Sequence, residues 1–233
     1  MSLKSVITRI FFPLKCPLCG ELVPLSDEVC PCCRGELRKV SHDYCIHCAA
    51  DYSKCSCAPD KPQLDSVAAV CYYSGKARWQ IALFKFAFQK NLASTLSLEM
   101  SERAAEVFSN VNFDLVTYVP ISEKSLEKRG FNQSELLAKG VAERLFVPLQ
   151  KTLLKIKETE FQHTLGEKER LSNLEGAFGL SDNVSVRGKT VLLCDDIKTT
   201  GATLKECSDV LYKNGAEKVC CLVYAVTDYM SDF

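Results

Sequence analysis

From Leu92 to Phe108 apolar side chains return at three- and four-residue steps (Leu92, Leu96, Met100, Ala104, Val107), which predicts a helix with one buried face. Ala77 to Gln89 predicts another, with Trp79, Leu83 and Phe86 on one face. Four other apolar stretches lack that period and have strand length. They are Val67–Tyr73, ended by Ser74-Gly75, then Phe113–Val119, ended by Pro120, then Val191–Cys194 and Val219–Val226. Asn132 and Glu135 form an N-x-x-E start signal for a helix that runs to Leu145. A further helix runs from about Ala202 to Lys213, with Asn214-Gly215 as its left-handed cap. Strand and helix alternate through the C-terminal half, so the fold class is α/β with an open parallel sheet flanked by helices.

The N-terminal quarter follows a different chemistry. Nine of the 14 cysteines fall between Cys16 and Cys57. They come as Cys16-Pro-Leu-Cys19, Cys30-Pro-Cys-Cys33, Cys45-Ile-His-Cys48 and Cys55-Ser-Cys57. A C-x-x-C turn aims two thiolates at one ion, and two such turns complete the closed tetrahedral shell preferred by structural Zn²⁺. Gly20 suits the backbone reversal of such a knuckle. A disulfide scaffold would be small and would lack a large cysteine-poor remainder. Cys16, Cys19, Cys30 and Cys33 make one site, and Cys45, Cys48, Cys55 and Cys57 a second. A cross-braced arrangement stays open, as does substitution by Cys32, His42 or His47. Either way the ions are structural, because four protein ligands leave no open position. The division falls at Pro59 to Pro62: residues 1–62 hold an N-terminal helix and the cysteine segment, and 63–233 the α/β domain.

Charge narrows the partners. Lys+Arg and Asp+Glu both number 29, which excludes a strongly basic duplex-DNA clamp and an acidic tail. No apolar run approaches the ~18–20 residues of a membrane span. The first residues place Lys4, Arg9 and Lys15 among Val6, Ile7, Ile10, Phe11 and Phe12, a short amphipathic helix stopped by Pro13 and not a secretory leader. The expected location is the cytoplasm.

The segment that carries chemistry is Val191-Leu-Leu-Cys-Asp195-Asp196-Ile-Lys198-Thr199-Thr200-Gly201-Ala202-Thr203. A buried strand ends in two carboxylates, a hydroxyl-rich turn follows, and a helix begins. Ligands of open α/β sheets bind at the carboxyl ends of strands. Backbone N–H groups, threonine hydroxyls and a helix dipole make a phosphate cup, and Gly201 allows close approach. The acids would repel that phosphate but are strong acceptors for the vicinal hydroxyls of a ribose. The order of residues therefore describes a sugar diol beside a 5′-phosphate. The competing reading is that Asp196 and the threonines merely cap a helix. Neither G-x-x-x-x-G-K-[ST] nor G-x-G-x-x-G occurs in the chain.

Two acids followed by T-T-G-x-T resemble the phosphoribosyl pyrophosphate (PRPP) signature of type I phosphoribosyltransferases. The resemblance implies that Asp195 and Asp196 hold the ribose hydroxyls, and that Lys198, Thr199, Thr200, Gly201, Ala202 and Thr203 surround the 5′-phosphate. It also implies a pyrophosphate loop, here Tyr118-Val-Pro-Ile-Ser122 continuing to Lys128-Arg129-Gly130-Phe131-Asn132-Gln133, with Ser122, Arg129 and Gly130 toward the diphosphate. Arg129 offers a planar fork of donors. Together with the cysteine knuckles, these motifs resemble the ComF family of competence proteins, a cysteine-rich N-terminus joined to a phosphoribosyltransferase-like domain. Gln162, Leu165, Arg170, Asn173, Ala177 and Phe178 fit its Q-x-x-L-x-x-x-x-R-x-x-N-x-x-x-A-F stretch, which implies a flexible loop carrying Gln162 and Arg170. Leu83-Phe84-Lys85-Phe86 resembles its L-K-Y helix. Lys198 stands where the family more often has a small aliphatic residue, and adds positive charge near the phosphates.

The resemblance implies PRPP as ligand, Mg²⁺ beside the diphosphate, structural Zn²⁺, and a role in DNA uptake during natural transformation. A helicase or channel protein of the uptake machinery is then an implied partner. No residue stands out as a general base and no acceptor pocket is legible, so binding of PRPP is better supported than transfer to an acceptor. Single-stranded DNA is the competing ligand. Lys54, Lys61, Lys76, Arg78, Lys85 and Lys90 interleave with Tyr72, Tyr73, Trp79, Phe84 and Phe86, although the same aromatics could be core.

Overall fold

The computed structural model describes residues 14–23, 29–55, 57, 64–86, 92–157 and 176–227. The expected N-terminal helix and the flexible loop with Gln162 and Arg170 lie outside them. In chain order the elements are α1 (Pro31–Gly35), β1 (Ser66–Tyr72), α2 (Gly75–Phe86), α3 (Leu92–Val107), β2 (Leu115–Tyr118), α4 (Glu123–Arg129) and α5 (Gln133–Leu145). There follow β3 (Leu153–Lys155), β4 (Phe178–Leu180), β5 (Thr190–Lys198), α6 (Ala202–Lys213) and β6 (Lys218–Val226).

The four apolar runs form one parallel sheet in the order β1-β6-β5-β2. Both faces of it are covered, which is why its strands are continuous apolar runs and not alternating ones. One face packs against α2, α3 and α5 through Phe84, Leu96, Met100, Leu137 and Val141. The other packs against α6 and the antiparallel β3–β4 hairpin through Leu204, Cys207, Leu211, Leu153 and Phe178. The helix after β2 therefore lies on one face and the helix after β5 on the other, although these strands are neighbours. Their carboxyl ends open a crevice between diverging connections, the place where such sheets bind ligands.

Two expectations change. In α2 the inward stripe is Ala77, Ile81 and Phe84, at steps of four and three, whereas Trp79 lies off the stripe and is 66% exposed. And β5 continues past Cys194 to Lys198, held by parallel pairing with β6 at Asp195, Ile197 and Lys198.

The cysteine segment shares both cores. Cys16, Val29, Cys30, Cys33 and Leu37 are buried against the α2–α3 face, while Val40, Ala49 and Leu64 join the α6 face. Between them the chain runs antiparallel to the free side of β1: Val40 N–H donates to Val70 C=O at 3.1 Å, and Tyr72 N–H to Arg38 C=O at 2.8 Å. Val67 N–H donates to Ile46 C=O at 2.6 Å. The Arg103 guanidinium, on α3, binds Ala69 C=O and Ser41 C=O and lies 4.6 Å from the centre of the Tyr44 ring.

Helices α3 and α5 meet at Gly140. A methyl group there would fall 2.2 Å from Ser97 Oγ and 2.6 Å from Ser97 Cβ. Gly140→Ala is expected to destabilise the protein by about 1–3 kcal/mol, with Ser97→Gly in the same chain recovering most of the loss in thermal unfolding.

Candidate functional site

The crevice is built from β5, its turn and the loop after β2. Asp195 and Asp196 are both buried at the end of β5. Asp195 Oδ1 accepts from Ser134 Oγ at 2.6 Å and from the Asp196 amide at 2.9 Å. Asp196 Oδ2 lies 2.6 Å from Lys85 Nζ. Burial, and then the neighbouring Asp196 charge, push the Asp195 carboxyl up to about 7, while Ser134, Lys85 and the Asp196 amide restrain the rise. Burial works against the Lys85 ammonium, but the Asp196 carboxylate holds it above its ordinary value.

The turn then reverses the chain. Gly201 sits at φ +87 ahead of α6, a left-handed conformation that favours glycine. Thr200 Oγ1 accepts from Ala202 N–H at 3.3 Å. Thr199 is exposed, Thr200 and Thr203 are half-buried, and Ala202 is buried at the first position of α6. Lys198 closes β5 just before this turn. It is buried, and burial pulls its ammonium below the ordinary value.

The loop after β2 forms the other wall. Ser122 caps α4 by accepting from Ser125 N–H at 3.3 Å, and Gly130 ends that helix at φ +70. Arg129, between them and half-buried, donates to Gln133 Oε1 at 3.2 Å and adds a positive field at Lys85. Asn132 caps α5 by accepting from Ser134 N–H at 3.0 Å, and its amide donates to Val119 C=O at 3.0 Å. This cap presents Ser134 to Asp195. The Phe131 and Phe84 rings lie 5.9 Å apart, so the loop is also fastened to α2. Ser134 escaped the sequence reading, since a serine in the first turn of a helix carries no signal of its partner. Lys85 had one, its place in the Leu83-Phe84-Lys85-Phe86 motif.

The cysteines gather into the two sequential groups, without cross-bracing. In Cys16, Cys19, Cys30 and Cys33, and again in Cys45, Cys48, Cys55 and Cys57, the four Sγ atoms lie within 4.8 Å of one another. None of the cysteines is in a disulfide. Cys19 and Cys30 Sγ are 3.5 Å apart, and Cys48 and Cys55 Sγ 3.8 Å. A tetrahedral ion with bonds of ~2.3 Å to sulfur holds sulfurs about 3.8 Å apart, so each group could hold one such ion. The two knuckles repeat one another. Gly20 N–H donates to Cys16 C=O and Ala49 N–H to Cys45 C=O, both at 2.8 Å, with Gly20 at φ +80 and Ala49 at φ +61. Burial opposes it, but backbone N–H donors bring the Cys16 and Cys45 thiols down to about 7, toward the thiolate a metal needs. The alternatives are otherwise engaged: Cys32 Sγ faces Glu36, His42 pairs with Glu106 at 2.5 Å, and His47 Nδ1 meets Leu64 C=O at 3.0 Å.

Residues 132–231 match the phosphoribosyl transferase domain. That stretch contains Ser134, both aspartates and the turn. Over 181 residues the chain is 30% identical to competence protein F of Haemophilus influenzae, across 73% of this chain and 78% of that protein. The chain belongs to the ComF family. Within it, ComFC of Bacillus subtilis is 28% identical over 184 residues, covering 75% of this chain and 73% of that protein. DNA utilization protein YhgH of Escherichia coli K12 is 27% identical over 208 residues, covering 88% and 86%. The ComF fold seen here is a phosphoribosyltransferase-like parallel sheet with two cysteine groups gripping its edge. No helix among the described residues is long and apolar enough to cross a membrane.

The Asp195 proton gives a measurable signature. Folded, this carboxyl titrates near about 7, whereas an unfolded aspartate does so near about 3.9. Between those values the folded state holds the extra proton, so stability falls as pH rises through that window. Asp195→Asn is expected to raise the thermal midpoint above wild type at about pH 8, with the gap narrowing as pH falls and closing at about pH 4, in unfolding scans across pH.

Proposed function

We propose that this ComF-family chain binds PRPP in the crevice at the carboxyl ends of β2 and β5, as a factor in DNA uptake. The observation that carries the reading is the meeting of three things at one strand end. They are two adjacent buried carboxylates, a left-handed glycine turn opening onto the N-terminus of α6, and Arg129 on the facing loop. Asp195 and Asp196 receive the ribose hydroxyls. Thr199, Thr200, Gly201, Ala202 and Thr203 receive the 5′-phosphate, through backbone N–H groups and hydroxyls. Arg129, Gly130 and Ser122 face the diphosphate. Mg²⁺ arriving with the ligand would offset part of the diphosphate charge that Arg129 faces. The DNA-uptake role is supported by the relatives named competence protein and DNA utilization protein.

The cysteine groups are read as structural zinc sites, since each shell is complete with four thiolates and leaves no coordination position for chemistry. Elemental analysis is expected to find two zinc ions per chain, and one in Cys33→Ser.

Single-stranded DNA is a second reading, favoured by one observation. Trp79 is exposed on α2, and beside it Arg78 lies 5.8 Å from the Tyr73 ring centre. Tyr72 and Phe84, by contrast, are core. Trp79→Ala is expected to weaken single-strand binding, read by fluorescence anisotropy, while leaving PRPP binding unchanged.

Calorimetry with PRPP and Mg²⁺ tests the main reading. Wild type is expected to bind and Asp195→Asn/Asp196→Asn to lose at least about tenfold in affinity, as the loss of two charge-assisted hydrogen bonds requires. Equal affinities would remove the acids from the site.

A further inference from the structure

We propose that Lys85 is a positioning residue of the sugar-phosphate site, holding Asp196 aimed and offsetting the charge of the acid pair so that a polyanionic sugar can approach it. The inference rests on the PRPP reading and deepens it. Lys85 lies on α2, outside the stretch that matches the phosphoribosyl transferase domain, yet its Nζ is 2.6 Å from Asp196 Oδ2. Its approach is fixed at both ends. Ala77, Ile81 and Phe84 bury the inner stripe of α2, and the Phe84 ring packs on Phe131 of the loop that carries Arg129 and Gly130.

The charge arithmetic explains why a cation belongs there. Two neighbouring carboxylates repel each other and any diphosphate brought near them. Lys85 cancels one of those charges without occupying Asp195, whose Oδ1 is held by Ser134 from α5. The charged and titratable groups around the pair are few. Arg129, at the end of α4, acts on Lys85 from the loop side. Cys194 on β5, Cys207 on α6 and Cys221 on β6 feel Asp195, and burial pushes all three thiols up, so they stay neutral. Lys85 is thus the cation in direct contact with the acids among the described residues. A diol ligand needs both carboxylates as acceptors. Taking the ammonium away favours the protonated form of Asp195, which Lys85 otherwise restrains, so binding should retreat to higher pH.

PRPP affinity with Mg²⁺ is measured across pH for wild type, Lys85→Met and Lys85→Arg. Lys85→Met is expected to lose at least about tenfold near pH 7, one pKa unit of differential interaction, and to recover much of it toward higher pH. Lys85→Arg is expected to keep the wild-type profile. A Lys85→Met protein with wild-type affinity and profile overturns the inference while leaving the site reading intact. Wild type that binds no PRPP at any pH overturns both. If Lys85→Met does not fold, the Lys85 side-chain ammonium resonance of wild type decides. A shift on adding PRPP supports the inference, and an unmoved signal overturns it.

Discussion

Two negative charges held side by side at the end of a buried strand are the constraint around which this molecule is arranged. Asp195 and Asp196 lie in β5 just past its last pair with β2, at Cys194, where β6 still runs alongside, and both are buried, so water cannot stabilise them as it would on a surface. Compensation comes from three directions. A hydroxyl arrives from α5, an amide from the backbone itself, and an ammonium from α2. The caps and contacts that place those groups, Asn132 at the start of α5 and Phe84 against Phe131, are therefore part of the site although none of them touches its centre. Even so the balance is incomplete, and Asp195 keeps an affinity for protons that a solvated aspartate lacks. Such tension is common where a binding group is placed for its ligand and not for the empty protein.

The cysteine segment belongs to the same arrangement. It is not a bead on a linker. Its first group backs onto the face that carries α2 and α3, and its second onto the face that carries α6, with the stretch from Arg38 to Val40 crossing between them along β1. Little apolar surface is available to residues 14–57 alone, and a metal in each thiol shell, as proposed, would supply the rigidity that a small core cannot.

Much of this was legible in the chain. Buried parallel strands announce themselves as unbroken apolar runs, and α3, α5 and α6 begin and end where period and caps place them. The cysteine pairs carried their own spacing. What escaped has physical reasons. Leu153–Lys155 and Phe178–Leu180 are too short to show a period, and their pairing spans a long stretch of chain. The end of β5 reads as a turn because acids and lysine are poor strand formers, and only pairing with β6 keeps them extended. Trp79 looked like an inward residue since size suggests burial, whereas the smaller Ala77 holds the inward place. The Lys85–Asp196 and Ser134–Asp195 contacts join residues far apart in the chain, and no local pattern records them.

The stretch from Arg38 to Val40 has a consequence for the protein's handling. It occupies the hydrogen-bonding groups on the outer side of β1, Val70 C=O and Tyr72 N–H among them. An apolar strand with that row uncovered is a template on which a second chain can add. With zinc in the shells, as proposed, chelators and oxidants would uncover it, so self-association is the failure to guard against in purification, and reducing, metal-replete buffers would be the remedy.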